Sequence, residues 1–287
     1  MSSNKPDESL RGHEIRLVSM DRNKLNGLSK SIDALIDTAL SGIVIRKALS
    51  SLKTNAAIER LRVLNPAWSS PNEGMVGGEI KTLGEAGTPT FTSFTGPDSD
   101  RYRASQIAQG RLIEQVFSDA DPTRDIESIF SLLNRSQPAQ VAMFDELHPW
   151  LPFNFRSLPP GHQIYPHHDN HYRLPIYEHL DARYDRSVIL SWFIVLQPAS
   201  TGGDLKLYGL WGSDPNPPLL PTRFLDTEVL ENEFKSESVS LDAGDLVVFN
   251  SGKYVHRVTP VEGTVPRVTM GGFATVDRER THLVYWS

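Results

Sequence analysis

From about Phe153 onward the apolar residues recur at every second position, in short runs separated by turn signals. That is the period of strands with one buried face, and a helix, with a period of 3.6, cannot use it. Eight runs can be marked: Phe153–Leu158, His162–His167, Val188–Gln197, Gly203–Tyr208, Ser238–Leu241, Leu246–Asn250, Val255–Thr259 and Arg267–Ala274. Eight is the strand count of a double-sheet jelly roll. The earlier half carries the other period. Apolar spacings of three and four predict helices over Leu28–Leu40, from Ser50 or Ser51 to Leu64, over Ser99–Phe117 and over Thr123–Asn134. Short strands are expected at Glu14–Met20 and Ile43–Ile45. In the second helix Leu52, Ala56, Ile58, Leu61 and Leu64 are expected to face inward. The expected fold is therefore α+β with a mainly β core, a double-stranded β-helix (jelly roll) flanked by helices from the N-terminal half.

We expect one domain, 13–287, after a polar, disordered tail over 1–12: helical support and lid over 13–150, jelly-roll core over 151–287. Asn65 to Pro97 is rich in Pro, Gly, Ser and Thr, and a loop that long is usually a lid or a binding loop. A second such stretch, Gly209 to Lys235, is expected as an insertion over the barrel mouth, with the acidic run Asp226–Glu237 as a solvated helix face.

Composition removes several classes of function. A net charge of -6 argues against a nucleic-acid or anionic-membrane partner. With no cysteine, there can be no disulfide framework, iron–sulfur cluster or cysteine nucleophile, which suits a reducing cytoplasm. No apolar run approaches the roughly 20 residues of a membrane span, and the polar start lacks the core of a signal peptide. A cytoplasmic protein with a small-molecule partner is the expectation, its oligomeric state not being legible.

The chemistry concentrates in the strand-rich half. His167 and Asp169 stand two apart after the run Gly161–Pro166, so an extended backbone would present both on one face, with His168 pointing away. His256 follows a buried strand and the segment Gly252–Val255; Arg267, eleven residues later, opens another strand with Thr269 in phase. Two histidines and a carboxylate form a facial triad that leaves positions of an octahedral ferrous ion open. A guanidinium offers a fork for a carboxylate. An H-x-D triplet alone is common by chance, and His256 alone would read as a core histidine; it is the set that carries the signal. A cupin-type site would want a histidine where Asp169 stands. His171 is in phase with the pair, but Asn170 is expected to end the strand before it.

Those positions, H-x-D (His167, Asp169), a distant H (His256) and R-x-T (Arg267, Thr269), resemble the Fe(II)/2-oxoglutarate-dependent oxygenases. The closer resemblance, from about Ser41 to the end, is to the subgroup with the hapalindole/welwitindolinone aliphatic halogenases and the N-acyl amino-acid hydroxylases. It is strongest in Gly244–Asn250, Tyr254–Val258, Arg267–Phe273 and Tyr285–Ser287. The resemblance implies Fe(II) on His167, Asp169 and His256, with 2-oxoglutarate and O2 as cosubstrates and Arg267 and Thr269 on the distal carboxylate. The halogenases resemble this chain but carry Gly at the position of Asp169, where the missing carboxylate leaves room for chloride. Its presence here implies a hydroxylase of a small metabolite (amino-acid derivative, alkaloid or nucleoside-like), with decarboxylation of 2-oxoglutarate to succinate. The alternatives are desaturation, cyclisation or halogenation by the same oxidant, or a non-catalytic jelly-roll binding protein. Tyr165, in phase with His167, is a further candidate for the cosubstrate, with core packing the equal alternative; Arg156, on the preceding strand, is another, though surface or structural pairing accounts for it better. Ile164, out of phase on a regular strand, resembles a substrate-pocket position of the halogenases, and Trp211 reads equally as a substrate lid or a rigid surface loop.

Overall fold

The computed structural model describes residues 10–64, 81–82, 99–169, 180 and 183–287. Its first half contains β1 (Leu17–Asp21), a 3-10 helix (Arg22–Leu28), α1 (Ser31–Ile36), β2 (Gly42–Arg46), α2 (Ser51–Leu64), β3 (Lys81–Thr82), α3 (Ser99–Phe117), α4 (Thr123–Leu133) and β4 (Ala139–Val141). The second contains β5 (Asn154–Leu158), β6 (Ile164–His167), β7 (Leu190–Gln197), β8 (Thr201–Gly202), β9 (Leu205–Trp211), α5 (Thr227–Glu233), β10 (Ser236–Val239), β11 (Leu246–Phe249), β12 (Tyr254–Val258), β13 (Val261–Glu262), β14 (Arg267–Val276) and β15 (Leu283–Trp286).

All eight expected strands form, within a few residues of their expected ends, and they are dealt between two sheets. One holds β5, β14, β7 and β11 side by side, extended by β2 and β1 at one end and by β15 and β4 at the other. The smaller sheet runs β10-β9-β12-β6. That order is the double-stranded β-helix: strands next to each other in sequence mostly fall in opposite sheets, so each hairpin crosses the sandwich.

Packing follows from which face each strand turns to which partner. Leu190, Trp192, Ile194 and Leu196 alternate along β7 onto the outer face of the large sheet, where they meet helix residues such as Leu61, Val116 and Phe130. α4 supplies Ile126, Ile129, Phe130 and Leu133 at spacings of three and four, all buried. Phe130 and Tyr285 set their rings edge-on to Trp192 at 5.4 and 5.7 Å, and such pairs contribute about 0.5–1.5 kcal/mol each beyond area burial. Between the sheets Val195, Leu205, Leu207, Val247 and Phe249 form a second cluster. At Gly244, φ is +90° and a Cβ would lie 2.3 Å from the Leu49 carbonyl oxygen; this turn feeds β11. Asp245 beside it accepts from Arg46, Lys47 and Asp242.

Several expectations need correction. Of the expected Leu28–Leu40 helix only the six-residue α1 forms; a 3-10 helix ends at Leu28 before it, and after it the chain turns at Thr38, φ 60°, to enter β2. α2 buries Thr54, Ala57, Ile58 and Leu61, whereas Leu52 is exposed. Of the expected tail, residues 1–9 lie outside the described residues, but Arg11 is held by Glu233 at 2.8 Å and lies over the Phe234 ring. Most of Asn65–Pro97 also lies outside the described residues. In the second insertion, α5 covers the outer face of the small sheet, packing Leu230 with Tyr208, Leu210 and Val255. Glu231 on that helix is no solvated acid: it bonds Lys206, accepts from the Tyr208 hydroxyl at 2.5 Å and faces Arg257 at 3.3 Å. Among the described residues no helix is long and apolar enough to cross a membrane.

Candidate active site

His167 on β6 and His256 on β12 are cross-strand partners in the small sheet. Each aligns its ring by the same local bond. His167 Nδ1 is 2.7 Å from the Tyr165 carbonyl oxygen, and His256 Nδ1 is 3.0 Å from that of Tyr254. A carbonyl can only accept, so Nδ1 carries the hydrogen and Nε2 keeps its lone pair. Asp169, just past β6, is tied by its N–H to the Ser251 carbonyl at 2.9 Å and turns its buried carboxylate inward. Its Oδ1 stands 3.8 Å from His167 Nε2 and its Oδ2 3.9 Å from His256 Nε2. One ligand atom from each residue falls within 4.8 Å of the others. Ser191 on β7 donates to Asp169 Oδ2 at 2.6 Å.

The electrostatics suit a cation. Burial, with the neighbouring His167 ring adding to it, pushes the His256 imidazole down to about 4, so it is neutral at pH 7 with no proton to displace from Nε2. Two imidazole Nε2 atoms and one carboxylate are the donor set of the 2-His-1-carboxylate triad, and the residues present fit a ferrous ion.

A cavity of about 90 Å³ opens from this cluster between the sheets. Arg267 and Thr269 from β14 also line it, with Arg156 directly opposite Thr269 on β5. Arg267 is 7% exposed, its guanidinium lies 4.7 Å above the Phe193 ring, and its buried Nη2 has no hydrogen-bond partner among the described residues. A buried charged donor left in that state calls for an anionic partner. Burial pushes Arg267 down to about 10, against the pull of Asp204 and with a contribution from Arg156, which leaves it a cation at neutral pH. A carboxylate reaching in from the triad would meet Arg267 and Thr269 together. Phe193, Phe249 and Phe273 make the rest of the wall largely apolar.

Two expected positions are placed elsewhere. Tyr165 is 47% exposed, while Ile164 lines the cavity beside His167. The cause is a bulge: from the His256–His167 pair to the Val258–Ile164 pair, β12 advances two residues and β6 three. The extra residue reverses the alternation, so the phase argument that favoured Tyr165 fails within this strand. Trp211 is not part of the cavity wall. It ends β9, stacks on His13 with centroids 3.6 Å apart and carries Lys253 Nζ 4.1 Å above its ring. A Cβ on Gly212 would lie 2.4 Å from the His168 ring, so His168 rests on the insertion's root. His171 lies outside the described residues. Ser191 and Phe193, which line the cavity, are not among the site residues expected from the sequence. The available signal for Ser191 was a lone hydroxyl in the otherwise apolar run Leu190–Leu196.

Comparison with known proteins adds three findings. The family model of the carrier-protein-independent halogenase WelO5 matches residues 14–287. A solved N-substituted L-amino acid dioxygenase from Burkholderia ambifaria AMMD is similar at 16% identity over 91% of each chain, with a TM-score of 0.52. Its complex with alpha-KG is similar at 15% identity over 90% of this chain and 91% of that one, with a TM-score of 0.51. At such identity the likeness is one of fold. No curated protein matches at a significant level.

Proposed function

The chain belongs to the family of carrier-protein-independent halogenase WelO5, and from that premise we propose that it is an Fe(II)/2-oxoglutarate-dependent oxygenase whose reaction is hydroxylation. The observation that carries the choice of reaction is Asp169, buried between His167 and His256 with its oxygens 3.8 and 3.9 Å from their Nε2 atoms. The halogenases that the sequence resembles have glycine there. A carboxylate in that place fills the position a halide would need.

In this reading His167, Asp169 and His256 hold Fe(II), and Arg267 and Thr269 hold the distal carboxylate of 2-oxoglutarate, with Arg156 as a second cation beside them. Iron with 2-oxoglutarate supplies the oxidant: substrate C–H, O2 and 2-oxoglutarate give substrate C–OH, succinate and CO2. The chain's own work is placement. The Tyr165 and Tyr254 carbonyls hold both Nε2 lone pairs inward. Arg267 offers a cation and a fork, so a dicarboxylate is oriented end to end. The phenylalanine wall keeps water from the reacting carbon, and its apolar character suits an aliphatic segment of a small metabolite.

The test is spectroscopic and then chemical. Under anaerobic conditions Fe(II) and 2-oxoglutarate should give a weak visible charge-transfer band that Arg267→Ala abolishes. On admitting O2, succinate should form. No band and no succinate would remove the oxygenase reading. Because the family's own description favours halogenation, products from a turned-over substrate should be compared with and without chloride or bromide; a halogenated product would overturn hydroxylation alone.

A further inference from the structure

We infer that Ser191 is a positioning residue that fixes which oxygen of Asp169 meets the ion between His167 and His256. The inference rests on the metal reading above and adds a group outside the ligand set.

Asp169 lies beyond the end of β6, and the ladder of the small sheet does not reach it. Its main-chain N–H is anchored to Ser251, but rotation about the last side-chain torsion of an aspartate is soft. Ser191 makes the two carboxylate oxygens different. An ionised carboxylate only accepts, so the hydroxyl must donate, and 2.6 Å to Oδ2 is the length of a charge-assisted O–H···O bond. Oδ1 then remains turned toward His167 Nε2.

The donor's mounting is rigid. Ser191 lies on β7 in the middle of the large sheet, paired with Phe249 of β11 on one side and Phe273 of β14 on the other. The bond therefore ties a ligand that follows the small sheet to the scaffold of the large one, across the cavity. Pinning Oδ2 also withdraws charge from it, which favours ligation through one oxygen. A carboxylate free to turn could chelate with both oxygens and occupy a position the cosubstrates need.

The experiment uses Co(II) as a spectroscopic stand-in for Fe(II), without turnover. Wild type, Ser191→Ala, Ser191→Cys, Ser191→Thr, Asp169→Gly and the double variant Asp169→Gly/Ser191→Ala are compared, with thermal unfolding as a check on fold. Ser191→Ala and Ser191→Cys should raise the Kd for Co(II) by about 10–100-fold, the usual effect of losing a bond that orients a ligand, and should alter the visible ligand-field bands. Ser191→Thr, which keeps the hydroxyl, should stay within about threefold of wild type. In the Asp169→Gly background, Ser191→Ala should produce no further loss, because the bond it removes is already gone. Unchanged affinity and bands in Ser191→Ala, or equal weakening in both backgrounds, would overturn the inference. Failure of the underlying metal reading looks different: wild type would then bind no Co(II), or Asp169→Gly, in chloride-free buffer, would bind it as well as wild type does.

Discussion

His167 and His256 face each other across one antiparallel rung of the small sheet, with ring centroids 4.3 Å apart and planes tilted by 53°. Strand pairing and the Nδ1 bonds to the Tyr165 and Tyr254 carbonyls hold the two rings so that both Nε2 atoms are turned toward Asp169. Replacing His256 with alanine should abolish the anaerobic Fe(II)–2-oxoglutarate band while the far-ultraviolet circular dichroism stays unchanged. A band of wild-type intensity in His256→Ala would show that the ion, if bound, sits elsewhere.

Arg267 and Phe193 make the second test. The guanidinium is stacked above the ring with one buried nitrogen awaiting a partner, and hydrogen bonds to charged groups contribute about 1.5–3 kcal/mol. Arg267→Lys keeps the charge but loses the fork. Steady-state succinate formation should show KM for 2-oxoglutarate raised by about 10–100-fold, with a smaller change in kcat. An unchanged KM would place the distal carboxylate at another group.

The bulge in β6 predicts opposite behaviour from adjacent residues. Tyr165→Ala removes an exposed ring and should leave KM for 2-oxoglutarate within about twofold, as surface changes usually do. Ile164→Trp would project a large ring into the cavity beside His167, and should lower substrate turnover by at least about tenfold while succinate formation without substrate persists. Were the alternation regular, the sensitivities of the two positions would be reversed.

Asp169→Gly removes the carboxylate that distinguishes this chain from the halogenases it resembles. That variant should lose hydroxylation, and chloride should then shift the charge-transfer band of its Fe(II)–2-oxoglutarate complex. Hydroxylation at the wild-type rate would show that Asp169 is not a ligand.

Acid stability should depend on Glu231. Burial works to raise its pKa, but hydrogen bonds from Lys206 and Tyr208 and the charges of Lys206 and Arg257 outweigh it, leaving the carboxyl below its ordinary value of 4.5. The folded state thus binds this proton less readily than the unfolded state. The resulting stability is fully present above 4.5 and is lost as pH falls through the lower, folded value. Glu231→Gln should be less stable than wild type by about 1–2 kcal/mol at pH 7. In urea titrations the gap should narrow below pH 4.5; a gap independent of pH would exclude the charge as its source.

Much of the architecture is legible in the residues because it depends on local period. Leu190–Gln197 alternates or is continuously apolar whatever surrounds it, and Ile126, Ile129, Phe130 and Leu133 mark one helical stripe without reference to a partner. β15 was missed since Leu283–Trp286 is too short and too uniformly apolar to declare a phase. α2 is harder to orient, because Leu52 and Ala57 lie about 140° apart around the helix and it has little amphipathic contrast to choose between their faces.

The site divides in the same way. Residue type and spacing brought out the set His167, Asp169, His256, Arg267 and Thr269, a candidate metal triad with a candidate anion anchor. Tertiary structure alone decided the rest. The β6 bulge is set by the register against β12, a cross-strand relation that a run of four residues cannot encode. Ser191 meets Asp169 only because β7 and the end of β6 lie in opposite sheets across one cavity. The side of the small sheet that α5 covers follows from where Tyr208 and Val255 leave apolar surface open. Local period is written in the order of the residues, whereas register, sheet assignment and the partners of a buried polar atom belong to the folded contacts.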